Sequence, residues 1–599
     1  MLSRVEALVQ VSDRRWLAFE DPTRVLCAET HDAVPGVLAD VEQVTRDRGL
    51  HAVGYLRYEA GAAFGLPVSA GAPGPLAWFA LFDPANVRAL DSAAGVVPPS
   101  FLASTSCPAG EPRYELRGVG PSLDRSAFRA AFERIRAHIA AGDTYQVNFT
   151  FPFAGVFEGD PRAFFADLVS AQRGGHSAYL RIGALCICSA SPESFFELSG
   201  LTIAARPMKG TFRRGRTLAE DRASGEALRS SPKNRAENVM IVDMIRNDIG
   251  RVAVVGSLDV PELFKVERYP NVWQMTSLVT ARTAAPLADI FAALHPPASV
   301  TGAPKKRTME IIRDIEGRPR GIYTGAIGHV PPNGNACFNV AIRTAVVDLG
   351  AGTLIFGAGS GIVWDSEADA EYDECLLKAS VLGRRQPPFE LLETLRWSRA
   401  EGFVLLDRHL SRLAEAADYF QVPIDMALVR AALGTAVDGQ PDPLRVRLLV
   451  SLEGLVRAEQ QPLRPSGRPL AAAFAREPVD ATNPFLFHKT TNREAYDRAR
   501  VAGVDETILW NRDGEVTEGL TTNVVAEIDG VKVTPPVRCG LLPGTCRAEL
   551  LEKGEIREAA IPKAALEQAA RIWLINSVHG WRPAILAHAS RELGNLVVG

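Results

Sequence analysis

The sequence predicts an α+β protein built from more than one domain, and three observations lead to that prediction. At 599 residues the chain is too long for a single hydrophobic core. Segments with helical spacing of apolar residues and segments with strand-like alternation follow one another in mixed order. Residues 383–388, Gly-Arg-Arg-Gln-Pro-Pro, are charged and carry two prolines, which is typical of a linker. We therefore expect domains at residues 1–385 and 386–599, although the length alone also allows three to four units.

Composition and charge argue against several classes of protein. The chain has 66 basic and 70 acidic residues and 7% aromatic residues, so nucleic-acid binding has no support. Charged residues interrupt residues 1–21, and no run of 18 apolar residues occurs, so we expect a cytoplasmic protein without a membrane segment. The eight cysteines and ten histidines show no spacing typical of a disulfide framework or a zinc site. Any metal should therefore be a hard cation held by carboxylates.

The periodicity of apolar residues places the main elements of the first half. Helical spacing predicts helices over residues 126–142, 233–250 and 287–294, the first with Phe128, Phe132 and Ile135 toward the core. Strand-like alternation predicts a half-buried strand over 146–151, a strand pair within 179–198 and a strand over 338–346. The polar residues described next are placed on this scaffold.

One lysine lies in a turn-forming frame at residues 206–211, Arg-Pro-Met-Lys-Gly-Thr. Pro207 fixes its own φ and Gly210 relaxes the backbone, so Lys209 is predicted in a bend outside any regular element. A lysine acts as a covalent catalyst when burial or a nearby cation favours its neutral amine, and Arg206 is a candidate for that cation. Lys209 is therefore a candidate nucleophile, and a surface Lys-Gly turn is the common alternative.

Three acidic residues fall on two predicted helices. Glu237 lies one turn before the apolar face of the helix over 233–250. Glu371 and Glu374 are three residues apart and share a helical face with Lys378. Together the carboxylates could hold Mg²⁺, which prefers one or two carboxylates plus waters and an anionic substrate. The same pattern also fits an ordinary solvated acidic surface.

Arg343 lies inside the apolar strand predicted over 338–346. Burying a guanidinium without a partner is costly, so this side chain should meet an anion. The sequence leaves two choices open for that anion, which are an internal Asp or Glu and a carboxylate of a substrate.

Five blocks between residues 10 and 382 resemble the chorismate-binding enzymes. They read PMKGT, AENVMIVDMIRNDIGRV, ASVTGAPK, IRT and GAGSGIVWDSEADAEYDE. The resemblance implies Mg²⁺ on Glu237 and Glu374, with Glu371 nearby. It also implies a set of chorismate-binding residues: Tyr323, Arg343, Gly359, Gly361 and Lys378. Within the family, a lysine at position 209 is typical of enzymes that form aminodeoxychorismate, whereas anthranilate-forming members carry alanine.

The chain departs from the family pattern at two positions. Asn234 stands where many relatives carry a second glutamate one turn before the metal glutamate, which weakens a Glu-x-x-Glu metal site. Gln274 stands where many relatives carry a histidine, which leaves no histidine acid or base at that point. The resemblance therefore implies roles for Lys209 and the three glutamates named above, but not for a second glutamate at 234 or a histidine at 274.

The second half resembles the pyridoxal-phosphate enzymes of fold type IV. The segment HLSRL at 409–413, a lysine in FHKTTNR, a glutamate in VTEG and a Gly-Thr helix start occur in the expected order. The resemblance implies that Lys489 attaches to the cofactor and shuttles a proton, and that Glu518 partners the pyridine nitrogen. The full implied set is Thr394 for the substrate and Arg412, Lys489, Glu518, Gly544 and Thr545 for the cofactor, the last two receiving its phosphate.

The two resemblances together imply a chorismate-binding α/β-sandwich lobe followed by a two-subdomain lobe of fold type IV. The first lobe is expected to convert chorismate and ammonia to 4-amino-4-deoxychorismate, and the second to release pyruvate and form 4-aminobenzoate for folate biosynthesis. No cysteine lies in a Gly-x-Cys-x-Gly elbow, so ammonia is expected from solution or from a separate glutamine amidotransferase subunit. A homodimer through the second lobe is compatible with this interpretation.

Two alternatives belong to other classes. An anthranilate- or salicylate-forming first lobe could be fused to an aminotransferase of the branched-chain or D-amino-acid type, and Lys209 argues against its first part. The first lobe could also be a non-catalytic module that binds an aromatic ligand. The presence of Lys209, Glu237, Arg343 and Glu374 argues against that second alternative.

Overall fold

The computed structural model of the chain describes residues 5–71, 73–92, 95–102, 113–383, 389–463 and 468–587. They fall into two compact units, one of residues 1–213 and 225–386 and the other of residues 214–224 and 387–599. The segment 214–224 thus belongs with the second unit although it lies within the first half of the sequence. The boundary expected at residue 385 falls among residues 384–388, which lie outside the described residues.

The elements of residues 5–383 are numbered in chain order. The strands are β1 (Val5–Gln10), β2 (Arg15–Glu20), β3 (Arg24–Ala28), β4 (His51–Leu56), β5 (Ala77–Phe82), β6 (Val87–Asp91), β7 (Tyr114–Pro121), β8 (Gln146–Gly159), β9 (His176–Ile182), β10 (Leu185–Ser191), β11 (Ser194–Ser199), β12 (Thr202–Arg206), β13 (Met208–Arg213), β14 (Asp259–Arg268), β15 (Val272–Arg282), β16 (Gly302–Ala303), β17 (Ala326–Val330), β18 (Ala336–Val340), β19 (Thr344–Asp348) and β20 (Thr353–Ile362). The helices are α1 (Val34–Arg48), α2 (Pro99–Leu102), α3 (Arg125–Ala140), α4 (Pro161–Gln172), α5 (Leu218–Ser230), α6 (Pro232–Gly250), α7 (Leu287–Leu294), α8 (Lys305–Glu316) and α9 (Ala368–Ala379).

The first unit is a sandwich of two antiparallel sheets with helices on both outer faces. The first sheet runs β16-β8-β20-β19-β10-β9-β1-β2-β6 with β7 beside β8, and the second runs β13-β15-β12-β11-β18-β17-β4-β5-β3 with β14 beside β15. The alternation along β1 shows how the layers form. Val5, Ala7 and Val9 pack in the core between the sheets, while Leu8 packs under the helices of the first sheet. β1 therefore contributes to two cores.

The three helices predicted from apolar spacing are confirmed as α3, α6 and α7. The side chain of Asp124 caps α3 by accepting from the backbone N–H of Ala127 at 2.8 Å. The strand over 146–151 is the start of β8, but all six residues are buried, so the prediction that it is half-buried is wrong. The reason is that helices cover one face of the sheet, while Asn148 and Thr150 on the other face are hydrogen-bonded within the fold.

The prediction of a single strand over 338–346 is wrong, because this segment contains the end of β18 and the start of β19. The chain leaves the second sheet at the end of β18 and enters the first sheet at β19. Arg343 lies at this crossover with a backbone φ of +51°, a value that residues other than glycine rarely adopt. Alternating apolar residues on both sides of the crossover imitate one continuous strand in the sequence.

The second unit contains two sheets. Its strands are β21 (Leu391–Ser398), β22 (Gly402–Phe403), β23 (Leu444–Val450), β24 (Val456–Pro462), β25 (Leu470–Phe474), β26 (Glu506–Trp510), β27 (Val516–Gly519), β28 (Asn523–Ile528), β29 (Val531–Thr534), β30 (Arg557–Glu558), β31 (Arg571–Asn576) and β32 (Gly580–Leu586). Its helices are α10 (Leu406–Phe420), α11 (Met426–Val437), α12 (Glu494–Ala499), α13 (Thr545–Glu552) and α14 (Lys563–Glu567), together with the start of α5. The first sheet is β22-β21-β23-β24 and the second is β27-β26-β25-β32-β31-β28-β29-β30. The two sheets correspond to the two subdomains expected for this half.

Candidate active sites

Lys209 lies in a strand and not in the bend predicted for it. β13 pairs with β15, and the register shifts between Met208 and Thr211, so the strand is irregular at Lys209 and Gly210. Gly210 has a φ of +102°, and a Cβ there would lie 3.0 Å from Oδ1 of Asn234. The glycine thus permits both the irregular strand and the close approach of α6.

Asn238 on α6 holds the backbone of Lys209. This fully buried side chain donates from Nδ2 to the carbonyl oxygens of Lys209 at 3.2 Å and Met275 at 3.4 Å. Its Oδ1 accepts from Oγ of Ser277 at 2.6 Å. Both ends of the amide are therefore used, and the helix that carries Glu237 also fixes the strand that carries the lysine.

Carboxylates surround the amine of Lys209. Its Nζ lies 3.7 Å from Oε2 of Glu237, and 22% of the lysine side chain is exposed. The positive charge of Lys209 also acts on three further carboxyl groups: Glu193, Glu371 and Glu374. The structure therefore brings the predicted nucleophile and the predicted metal ligands into one site.

The predicted metal ligands on α9 have different surroundings. The charge of Lys378 is the largest influence on Glu374 and lowers its pKa, and Nζ of Lys378 lies 2.6 Å from Oε1 of Glu374. Burial raises the pKa of Glu371, and the charge of Glu374 adds to that rise. Glu371 and Glu374 therefore repel each other in a partly buried site, with Glu237 across from them. A divalent cation bound there would remove this repulsion. The oxygens of Glu237, Glu371 and Glu374 are not all within 4.8 Å of one another in the described chain.

Glu193 is a site residue that the sequence analysis missed. Its side chain is buried, and burial raises its pKa to about 7 against the opposing effects of a hydrogen bond with Ser299 and the charge of Lys209. A carboxyl group with a pKa near 7 can donate a proton at neutral pH, unlike an ordinary glutamate. The sequence offers little signal for this role, because Glu193 lies in the mixed segment Ser-Pro-Glu-Ser-Phe-Phe over 191–196.

Gly361 of β20 leaves space beside the lysine. A Cβ on Gly361 would lie 2.9 Å from Nζ of Lys209 and 3.3 Å from Nε2 of Gln146. The backbone oxygen of Gly359 accepts from Nζ of Lys378 at 2.8 Å. Oε1 of Gln146 is buried and has no hydrogen-bond partner within the described residues, so it can accept from a ligand.

Tyr323 and Arg343 complete the predicted substrate side. Burial raises the pKa of Tyr323. The ring of Tyr323 packs directly on Gly357, where a Cβ would lie 2.3 Å from two of its ring carbons. Nη1 of Arg343 donates to the backbone oxygen of Lys378 at 2.6 Å. The charge of Arg343 also lowers the pKa of Glu374, so an internal carboxylate is near this guanidinium.

The residues that depart from the family pattern have structural partners. Oε1 of Gln274 accepts from Oγ1 of Thr211 at 2.9 Å, next to the lysine strand. Asn234 hydrogen-bonds to Ser231 at the start of α6 and packs against Gly210. Arg206 is paired with Glu262 at 2.7 Å, so its charge is already matched by a carboxylate. The proposal that Arg206 activates Lys209 is therefore not supported by the charges around the site.

Glu393 links two basic side chains at the centre of the second site, and the sequence analysis missed it. Its carboxylate accepts from Nε and Nη2 of Arg412 at 2.9 and 2.7 Å, and Oε2 lies 2.7 Å from Nδ1 of His409. Burial by itself would raise the pKa of Glu393, but Arg412 and His409 hold it at about 2. The two parallel bonds fix the plane of the guanidinium. Thr394, the next residue of β21, is half-buried, and its role with substrate stays a prediction.

Arg412 reaches the start of α13. Its Nη1 donates to the carbonyl oxygen of Pro543 at 3.1 Å, and Oγ1 of Thr545 lies 3.2 Å from Nε2 of His409. Gly544 caps the helix, and a Cβ there would lie 1.9 Å from Oδ1 of Asn523, so a larger residue would displace the Asn523 side chain. The first N–H groups of a helix beside a fixed guanidinium favour a phosphate group.

Lys489 and Glu518 both have strongly shifted pKa values. Burial, and after it the charge of Arg412, lowers the pKa of Lys489 to about 8. Burial raises the pKa of Glu518 to about 8, and its Oε1 accepts from the hydroxyl of Tyr496 at 2.7 Å. The charges of Lys489 and Glu518 act on each other, so the two groups share one site. An amine that is partly neutral, a buried carboxyl group and a phosphate site fit pyridoxal phosphate.

Comparison with known proteins identifies a family for each half of the chain. Residues 10–384 match the family described as chorismate binding enzyme, and residues 390–586 match the family described as amino-transferase class IV. The first match covers more than half of the chain, and the chain belongs to the chorismate-binding enzymes. Both resemblances seen in the motifs and the predicted α+β fold are thereby confirmed. A class IV domain implies pyridoxal phosphate as its cofactor.

Individual relatives cover parts of the chain. Aminodeoxychorismate synthase component 1 of Klebsiella aerogenes is 43% identical over 261 residues, which is 43% of this chain and 57% of that protein. Anthranilate synthase component 1 of Cereibacter sphaeroides is 38% identical over 44% of this chain and 53% of that protein. The chain thus spans somewhat more than half the length of these relatives. The crystal structure of anthranilate synthase component I from Streptococcus pneumoniae, 24% identical, shares the fold with a TM-score of 0.53 over 62% of this chain and 92% of that one.

Among the helices of the described residues, none has the length and apolar character needed to cross a membrane.

Proposed function

We propose that the first unit converts chorismate and ammonia to 4-amino-4-deoxychorismate and that the second releases pyruvate from this product to give 4-aminobenzoate, a precursor for folate biosynthesis. The single observation that carries the proposal is the presence of Lys209 beside Glu237 and Glu193 in a fold of the chorismate-binding family. Relatives named aminodeoxychorismate synthase component 1 support the same choice.

In the first reaction Lys209 is the nucleophile. Its neutral amine forms a bond to C2 of chorismate while the bond between C4 and the hydroxyl oxygen breaks, and Glu193 gives its proton to that oxygen, which leaves as water. Ammonia then bonds to C4, the bond from C2 to Nζ breaks, and the proton lost by ammonia restores Glu193. Lys209 is returned unchanged, and the sum is chorismate plus ammonia giving 4-amino-4-deoxychorismate plus water.

Mg²⁺ belongs to the proposal for the first unit. Glu237 and Glu374 would hold it, with Glu371 nearby, because carboxylate oxygens are its preferred protein ligands. Bound there, the cation would offset the charge of the substrate carboxylates. Arg343, Tyr323 and Lys378 would orient the substrate, together with the backbone at Gly359 and the space left by Gly361.

In the second reaction the chain supplies a proton acceptor and a binding frame. Lys489 would hold pyridoxal phosphate covalently and then, once freed, take the proton from C4 of the substrate. The cofactor supplies an electron sink when it is bound. Glu518 would hold a proton at the ring nitrogen, and Arg412, Gly544 and Thr545 would bind the phosphate. Loss of pyruvate, which takes up a proton as it leaves, makes the ring aromatic.

The source of ammonia and the assembly also belong to the proposal. The name "component 1" of the relatives supports a separate amidotransferase subunit as the ammonia donor, with free ammonia as the alternative. A homodimer through the second unit and a cytoplasmic location complete the proposed setting.

The proposal is tested by incubating the full chain with chorismate, Mg²⁺ and ammonium and by identifying the products. We expect 4-aminobenzoate and pyruvate in equal amounts. Because 4-aminobenzoate and anthranilate have the same mass, the products must also be separated chromatographically against both standards. Anthranilate as the product would favour an anthranilate-type first unit and overturn the assignment of Lys209.

A further inference from the structure

Three side chains able to bind a borderline-soft metal meet between the two sheets of the first unit. His176 begins β9 in the first sheet, while Glu197 on β11 and Cys337 on β18 are direct partners across the second sheet. One ligand atom of each lies within 4.8 Å of the other two. The reactions proposed above use none of the three.

The alternation of side chains explains why they meet. Phe196 on β11 and Phe338 on β18 pack in the core under the helices of the second sheet. Because successive residues of a strand point to opposite faces, Glu197 and Cys337 point away from those helices and toward the first sheet. The carboxylate is exposed and the thiol half-buried, so a cation can reach them from solvent.

The backbone of His176 is fixed in place by the same strand that carries the thiol. Nδ2 of Asn339, two residues after Cys337, donates to the carbonyl oxygen of His176 at 2.7 Å. Oδ1 of Asn339 is buried and lacks a hydrogen-bond partner among the described residues. This contact holds the backbone of His176 against β18 and does not use the ring nitrogens.

The charges around the imidazole favour a cation. Burial is the largest influence on His176 and lowers its pKa, which favours the neutral imidazole that binds metals. The negative charges of Glu197, Asp13 and Glu267 also act on the ring, against the positive charge of Arg206. Arg206 is itself paired with Glu262 at 2.7 Å. The local balance is therefore negative, which attracts a positive ion.

We propose that His176, Glu197 and Cys337 bind one Zn²⁺ ion between the two sheets, with water as the fourth ligand. An imidazole nitrogen, a carboxylate oxygen and a thiolate sulfur form a donor set typical of zinc, whereas Mg²⁺ prefers oxygen alone. The ion would tie β9 to β11 and β18 and so stabilise the first unit. The sequence analysis expected no zinc site because these ligands come from three distant strands and follow no short spacing.

The test measures zinc and thiol protection on the full chain with its cofactor and excess Mg²⁺, so that the carboxylates of the active site are occupied. Equilibrium dialysis followed by elemental analysis should find one Zn²⁺ per chain. Zinc should also protect Cys337 from alkylation, measured by peptide mass spectrometry, while the exposed Cys27 stays reactive and serves as an internal control. Bound zinc should raise the unfolding temperature.

Variants decide whether the three residues are the ligands. Cys337→Ser and His176→Gln should each weaken zinc binding by ~100-fold or more, since even groups behind the ligands affect affinity by 10–100-fold. Cys27→Ser and His31→Gln, at exposed positions outside the cluster, should bind zinc like the unchanged chain. Melting without zinc checks that each variant folds. Equal zinc binding by the unchanged chain and His176→Gln, or alkylation of Cys337 at the same rate with and without zinc, would overturn the proposal.

Discussion

The two lysines assigned to catalysis differ in the charges around them. Lys209 in the first unit lies among carboxylates, with Glu237 3.7 Å from its amine. Lys489 in the second unit lies near Arg412, and burial together with that charge lowers its pKa to about 8. At the second site, the nearby cation favours the neutral form of the amine, which is the nucleophilic form.

The difference shows two ways of preparing the same side chain. The second site favours a neutral lysine through burial and positive charge before any ligand binds. The first site instead places its lysine beside acidic groups with separate proposed roles. Glu193 has a pKa of about 7 and is the proposed proton donor, and Glu237 and Glu374 are the proposed ligands of a cation. The first lysine is held in position by its backbone, through Asn238.

Removing Lys209 gives the largest expected effect and separates the two lysines most clearly. Lys209→Ala should slow consumption of chorismate by ~1,000-fold or more, because the proposed covalent step has no substitute nucleophile. The same variant should still convert supplied 4-amino-4-deoxychorismate to 4-aminobenzoate. Lys306→Ala, an exposed lysine on α8, is the matched control. Near-normal consumption of chorismate by Lys209→Ala would refute the nucleophile assignment.

The pKa of Glu193 predicts a pH dependence for the first reaction. As a proton donor it acts only when protonated, and its pKa is about 7, so the first reaction should slow as pH rises above about 7. Glu193→Gln should lower kcat of the first reaction by ~100-fold and remove that limb of the pH profile. Stopped assays of chorismate consumption at about eight pH values between pH 5.5 and 9 would measure the kcat and the pH profile of each protein. A profile unchanged by the substitution would mean that another group gives the proton.

Asn238 tests whether positioning of the backbone matters at the first site. Asn238→Ala leaves the carbonyl oxygens of Lys209 and Met275 without this donor, so kcat of the first reaction should fall by ~10-fold with little change in KM. The second reaction should be unaffected. Asn247→Ala, an exposed position on the same helix, should leave both reactions unchanged. A change in KM with kcat intact would argue for a role in substrate binding instead.

The smallest expected effect concerns the charge beside Lys489. The neutral fraction of an amine with a pKa of about 8 rises about fivefold between pH 7 and pH 8, so covalent attachment of pyridoxal phosphate to cofactor-free protein should accelerate by a similar factor. Visible absorbance follows the attachment at saturating cofactor. Arg412→Gln removes the neighbouring cation and should move this dependence to higher pH. If the dependence stays in place, burial alone lowers the pKa of Lys489.

The sequence predicted those parts of the fold that depend on local spacing. The helices α3, α6 and α7 follow from apolar residues that recur every three to four positions. The strand over 338–346 was wrong because the change of sheet at Arg343 depends on partners far away in the sequence. The bulged strand at Lys209 was missed for a related reason, since proline and glycine signal a turn locally while pairing with β15 decides the structure.

The candidate sites divide in the same way. Lys209, Lys489 and Glu518 lie in short motifs that resemble known families, so they could be found from the sequence. Glu193 and Glu393 could not, because an acidic residue outside a known motif can be given a role only when its burial and its partners are known. For Glu393 those partners are Arg412 and His409, which lie on α10.

The division of labour between the units is tested most directly by Lys489→Ala in the full chain. This variant, given chorismate, ammonium and Mg²⁺, should consume chorismate at the normal rate and accumulate 4-amino-4-deoxychorismate without 4-aminobenzoate. This result is expected because aromatisation depends on the electron sink that pyridoxal phosphate would supply in the second unit. Release of 4-aminobenzoate, or of any aromatic acid together with pyruvate, at the rate of the unchanged chain would contradict it.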